Sequence, residues 1–169
     1  MSISSPETAS APERACDTPA SFTQLETEVW IGLLETHKRL TRALNAELER
    51  AHGLSLSALE LLSRLAAVAP GPLRLTDLAE RAGLSLSRVS RIIDVLEAQG
   101  LVERLRCPED RRARNAGLTP AGAELLEAAQ VTHSAFVRAE LFALVEPAEM
   151  TALAAVFGRL APSAAADCA

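Results

Sequence analysis

Between Ser85 and Gln99 the chain reads SLSRVSRIIDVLEAQ. Val89, Ile92, Ile93 and Leu96 recur at helical spacing and can pack inward. Ser87, Arg88, Ser90 and Arg91 then lie toward the N-terminal half of the outward side. Short hydroxyl and guanidinium side chains on the free face of a helix suit the major groove of DNA, where base edges offer distinct donor and acceptor patterns. Arg88 and Arg91 are the candidates for bidentate contact with guanine or for clamping phosphate. Two arginines on an arbitrary helix are more often plain solvated surface, so the reading depends on the elements around them.

Those elements have a definite order. Thr76 is read as the cap of a short helix, Asp77 to Ala82, closed by Gly83, and Ser85 opens the next helix, which Gly100 ends with Leu101 placed for the accompanying apolar contact. Leu101 to Leu105 alternates like a strand, Pro108 to Arg112 is polar and turn-like, and Ala113 to Leu118 can return as its partner. Short helix, glycine turn, capped helix and arginine-tipped hairpin together make a winged helix-turn-helix. Before it, Phe22 to Ala51 forms one amphipathic helix with Leu25, Val29, Leu33, Leu40, Leu44 and Leu48 on its stripe and His37 filling the same stripe. His52-Gly53 ends that helix. Ser55 or Ser57 caps a second one over Leu59 to Leu65, which Pro70-Gly71-Pro72 stops ahead of the extended piece Leu73 to Leu75. Thr119-Pro120 starts a helix reaching about Leu144, and Pro147 starts a last one to about Leu160.

Composition agrees with a mainly α fold carrying a small β-hairpin wing. Of 169 residues 49% are apolar but only 3% aromatic, with Ala and Leu dominant, which favours helix interiors over sandwich strands. The net charge of −5 argues at first against a nucleic-acid partner. Its distribution reverses that argument: seven arginines against five acids between Arg88 and Arg114 give this stretch +2 and leave −7 for the rest, a basic face on an acidic body. No apolar run has the length of a membrane span, and the first residues lack the order of a secretion signal, so no membrane partner and a cytoplasmic location are expected. Cys16, Cys107 and Cys168 are too few and scattered for a disulfide framework or zinc ribbon. His37, His52 and His133 are widely separated, and there is no phosphate loop or nucleophile elbow; no enzyme, cofactor or metal is expected.

The stretch LTDLAERAGLSLSRVSRIIDVLEAQGLVERLRCPEDRRARNAGLTPAGAELL, Leu75 to Leu126, resembles the MarR family of bacterial regulators, most specifically through Pro108-Glu109-Asp110-Arg111-Arg112 followed by Leu118-Thr119-Pro120-Ala121-Gly122. The resemblance runs from about Phe22 to Leu160 and implies a homodimer on a double-stranded DNA operator. Composition makes 1–21, rich in Ser, Ala, Pro and Thr with little to bury, a disordered tail and 162–169 a flexible one. Between them the resemblance implies an N-terminal dimerisation helix over 22–53, a winged helix-turn-helix reader over 54–118 and C-terminal dimerisation helices over 119–161. It also brings Asp110, Arg111 and Arg112 to the minor groove, where narrow walls concentrate negative potential and attract guanidinium. The acid would orient a neighbouring arginine and not touch DNA itself. The apolar stripes of the outer helices fit the dimer, since the reader has too little surface to cover them.

Members of the family commonly respond to small anionic or phenolic effectors, or to oxidants, in a cleft between reader and dimerisation helices. Trp30 and His37, seven apart on the first helix, and Glu60 on the second are the candidate effector residues; a tryptophan and an acid there resemble the urate-responsive branch, although that branch usually carries Asp where this chain has Glu60. Packing alone would also account for Trp30, and solvation for His37 and Glu60. Cys107 sits near Arg104 and Arg106, which could lower its thiol pKa and make it an oxidant sensor. A helical protein-interaction module is the other alternative, distinguished by the weak salt dependence of an apolar contact.

Overall fold

The computed structural model describes residues 22–106 and 114–160. The tails expected over 1–21 and 162–169, the tip of the hairpin, and all three cysteines lie outside the described residues. The chain divides into two compact units, Met1–Thr36 and His37–Ala169.

The first unit contains the start of helix α1 (Gln24–His52). Thr23 and Glu26 close a reciprocal cap there: the Glu26 carboxylate accepts the Thr23 N–H at 2.7 Å and its hydroxyl at 2.9 Å, while the Glu26 N–H donates to Thr23 Oγ1 at 3.2 Å. Those bonds, the backbone one first, hold the Glu26 carboxyl below the usual carboxylate range. Leu25, Val29, Trp30, Ile31 and Leu33 all stand exposed in this unit.

The second unit holds the core. Helices α2 (Leu56–Ala66), α3 (Leu75–Ala82) and α4 (Leu86–Ala98) bury Leu61, Leu62, Leu65, Leu78, Val89, Ile93 and Leu96, joined by Leu48 from the end of α1 and by Leu54. Each such side chain contributes about 1.5–3 kcal/mol by leaving water. Ser55 is the cap of α2, its Oγ accepting the Ala58 N–H at 3.1 Å, and Asn45 Oδ1 takes the Leu56 N–H at 2.9 Å. The wing is one strand larger than a hairpin. Strands β1 (Leu73–Arg74), β2 (Val102–Arg106) and β3 (Arg114–Leu118) form an antiparallel sheet in the order β1-β3-β2, with both Leu73 and Arg104 opposite the buried Ala116.

Two expectations need correction. Thr76 does not cap α3: the helix starts at Leu75, whose 3% exposure places it in the packed first turn, and the Thr76 hydroxyl donates to Asp77 Oδ1 instead. Helix α5 (Pro120–Glu140) stops short of Leu144, because the backbone leaves helical angles at Leu141 and continues as a 3-10 turn, Phe142–Leu144. Arg39 takes up the freed end, donating to the Glu140 carbonyl at 3.3 Å and to its carboxylate at 2.9 Å. Helix α6 (Pro147–Leu160) follows, as expected. No single helix among the described residues is long and apolar enough to cross a membrane.

Candidate nucleic-acid interface

Helices α3 and α4 meet at a turn that the sequence specifies. Gly83 adopts φ +62°, its N–H and that of Leu84 return to the Glu80 and Ala79 carbonyls, and two residues later Ser85 Oγ accepts the Arg88 N–H. This fixes how α4 leaves the turn. At its other end Gly100, φ +74°, closes the helix while the Leu101 N–H reaches the Leu96 carbonyl at 2.9 Å. With Val89, Ile93 and Leu96 locked in the core, the rotation of α4 is set, and Ser87, Arg88 and Arg91 are exposed on it.

The four candidate residues of α4 are not equivalent. Arg91 stands exposed beside a groove of about 500 Å³ that Leu54, Val95 and Gln99 also line. Arg88 is exposed too, yet its Nη2 donates to Ser57 Oγ on α2 at 3.1 Å, so its guanidinium is steadied from behind. Ser87 Oγ lies 3.2 Å from Ser85 Oγ. Ser90 is half-buried, and its carbonyl accepts from Arg104 Nη2 at 3.4 Å. Asp110, Arg111 and Arg112 fall outside the described residues; Arg114, exposed at the start of β3, is the nearest described cation on that strand.

Arg104, which the sequence offers as a basic charge of the wing and a neighbour of Cys107, is turned instead toward α4. Its guanidinium binds the Asp94 carboxylate through Nη2 and lies 3.0 Å from Glu97 Oε2 through Nε. The signal was present in the alternation of the strand: Val102 is buried and Glu103 exposed, so Arg104 falls on the packed side.

Comparison with known proteins agrees with this geometry. Residues 52–113 match the model of the MarR family. The uncharacterized HTH-type transcriptional regulator YdgJ of Bacillus subtilis is 30% identical over 141 residues, 83% of this chain and 82% of YdgJ. The chain belongs to the MarR family. Two solved MarR-family regulators from Streptomyces coelicolor share the fold closely. Sco3205, solved in complex with DNA, is 32% identical at a TM-score of 0.78, with 86% of this chain and 91% of that one covered. AbsC is 31% identical at 0.76, with 85% and 96% covered. The protein is thus a MarR-type, DNA-binding transcriptional regulator with the winged helix-turn-helix fold, and its relatives are regulators, not enzymes.

The effector candidates of this MarR-family chain belong to different units. Trp30, 51% exposed, belongs to the first unit. His37 and Glu60 belong to the second, where His37 is exposed and its carbonyl accepts from the Thr41 hydroxyl. Glu60 lines a cleft of about 580 Å³, and His37 does not. The other polar walls of that cleft are Ser63 and Arg64 of α2, Arg81 of α3, and Gln130 and His133 of α5, over a floor that includes Leu56 and Leu59. Glu60 pairs with Arg64 at 3.0 Å. Sequence reasoning missed Arg81 and His133 because nothing in spacing connects residues on three separate helices. No cluster of His, Cys, Asp or Glu suited to a metal is found among the described residues.

Proposed function

We propose that this regulator binds a pseudo-palindromic operator as a homodimer, represses the genes it controls, and is released by a small anionic or phenolic effector. The observation that carries the reading is the polarity of α4: one face buried through Val89, Ile93 and Leu96, the other presenting Ser87, Arg88 and Arg91. A helix so mounted fits the major groove, with Arg88 and Arg91 reading guanine or phosphate and Ser87 and Ser90 at its margins. Asp110, Arg111 and Arg112 approach the minor groove in the same scheme.

The homodimer is supported by apolar surface. Helix α6 buries none of its residues, although Leu153, Val156, Phe157 and Leu160 lie on it, and the first unit exposes Leu25, Val29 and Trp30. Monomers seldom leave so much apolar area in water. We accordingly take 22–53 and 119–161 as dimerisation segments around a reader over 54–118, and the cytoplasm as the working compartment.

The effector reading is supported by the Glu60 cleft, whose volume lies in the range of ligand pockets. Arg64 is already paired with Glu60, and the Arg81 guanidinium with the His133 imidazole, over an apolar floor, suits a carboxylate on a ring. A ligand acts only through its differential affinity for two conformations, so about 1–3 kcal/mol of coupling would loosen the operator about 5–150-fold.

Footprinting on a duplex selected from a random library tests the central reading, with light scattering for stoichiometry. Two symmetric half-sites about one helical turn apart, occupied by a dimer, are expected. A single asymmetric contact made by a monomer would remove it.

A further inference from the structure

Helix α4 carries Arg88 and Arg91 in its first half and Asp94 and Glu97 in its second, so the helix itself has no net charge. Asp94 lies on the exposed side, its side chain 61% accessible, one turn beyond Arg91, and Glu97 is 42% accessible. Two carboxylates on a helix that must lie against phosphates are a liability. They also sit toward the C-terminal end, where the helix dipole already places partial negative charge and where α4 has no basic residue of its own in the last turn.

Arg104 reaches across from β2 to this point. Its partners, the Ser90 carbonyl, Asp94 and Glu97, follow at spacings of four and three along α4. The side chain is only 19% accessible. Its Nε and Nη1 atoms are buried, and Nη2 donates to Asp94 and to the Ser90 carbonyl, so the donors of that nitrogen are already taken up by the helix. The guanidinium is therefore turned to the acids of the helix and not to solvent.

We infer that Arg104 is a positioning and charge-masking residue for DNA binding: it pairs with Asp94 and Glu97 and offsets one of their two negative charges, so that the backbone of the duplex meets more of the field of Arg88 and Arg91, and it ties α4 to the wing. The inference rests on the reading of α4 as the helix that faces DNA. It gives Arg104 an effect on every duplex, whatever its sequence, because the masked charges act on phosphates and not on base edges.

The test is a charge cycle on the full-length protein, titrated against its selected operator and a mixed-sequence duplex. Arg104→Met uncovers both acids and is expected to weaken both complexes by about tenfold or more at low ionic strength, the loss shrinking as salt screens it. Arg104→Met with Asp94→Asn and Glu97→Gln restores affinity to within about threefold of the parent protein, because nothing is left to mask. A triple variant as weak as the single one overturns the inference. Should Arg104→Met fail to fold, Asp94→Asn with Glu97→Gln decides alone: masking requires both duplexes to be bound at least as tightly as by the parent. A loss there overturns masking, and one confined to operators with particular cytosines would mean that Asp94 reads a base. Arg91→Ala serves as the control. If it leaves binding unchanged, α4 does not face DNA and both readings fall; if it weakens binding while the rescue fails, only the role of Arg104 is lost.

Discussion

The Thr119 hydroxyl donates to the Gly100 carbonyl at 2.8 Å and at the same time accepts the Gly122 N–H at 3.0 Å. One side chain thus joins the end of α4 to the start of α5. The Thr119 N–H adds a bond to the Leu101 carbonyl at 3.2 Å, so the root of the wing is held in the same knot. A shift of α5 would be felt by the end of α4 through this joint.

Gly122 is the tightest point of that joint. A Cβ at this position would lie 2.0 Å from the Leu101 carbonyl oxygen and 2.9 Å from Leu118 Cδ1. The first of these is backbone and cannot swing aside. Gly122→Ala is expected to cost about 1–3 kcal/mol as overpacking, and Thr119→Val about 1 kcal/mol as a lost cap. Urea denaturation would measure both. An unchanged midpoint for Gly122→Ala would show that α5 does not pack on Leu101 as described.

Acid should loosen the start of α1. Hydrogen bonds from Thr23 lower the Glu26 pKa in the folded chain, so their contribution is present above the unfolded pKa and is lost as pH falls through the folded one. Amide exchange in the first turn of α1 is expected to accelerate as pH falls through the carboxylate range, beyond the intrinsic pH trend. Glu26→Gln should abolish that excess; its persistence would locate the titrating group elsewhere.

How much of this was legible in the sequence depends on whether a feature is local. The caps at Ser55, Ser85 and Thr119 and the left-handed Gly83 and Gly100 follow from neighbours within a few residues, and α4 folds as its spacing requires. Thr76 misled because its hydroxyl resembled a cap, while burial of Leu75 moved the helix start two residues back. Long-range pairings were invisible: β1 with β3, Arg88 with Ser57, Arg39 with Glu140, and Arg104 with two acids. A linear sum of charges therefore gave the stretch from Arg88 to Arg114 its correct total but could not tell which arginine is already spent inside the protein.

The Glu60 cleft yields a ligand prediction. Urate, salicylate and related aromatic acids should bind with an affinity that Arg81→Gln lowers about tenfold or more, the scale of a lost charge-assisted hydrogen bond. Calorimetry gives the affinity, and operator titration in the presence of each ligand gives the coupling. Binding that survives Arg81→Gln unchanged places the effector elsewhere. Binding that leaves operator affinity untouched makes the cleft a site without regulatory effect.

The arginines proposed for DNA contact should separate by what they touch. Arg88 and Arg91 rise from a helix whose rotation the core fixes, and Arg88 is further steadied by Ser57, so either can hold the two parallel bonds that guanine accepts. Substituting a base reader should cost about 1–3 kcal/mol on the operator and little on mismatched duplexes. Arg112, proposed for the minor groove, acts through charge, so Arg112→Ala should weaken most sequences alike and reduce the salt slope by about one ion. Ser57→Ala provides an internal check: it leaves the Arg88 charge in place but frees the guanidinium, and should relax base preference without changing the salt slope if Arg88 is a reader. Titrations of all four variants on matched and mismatched operators at several salt concentrations distinguish the roles. Equal losses on every duplex for Arg88→Ala and Arg91→Ala would make both of them phosphate clamps and leave base readout to other residues.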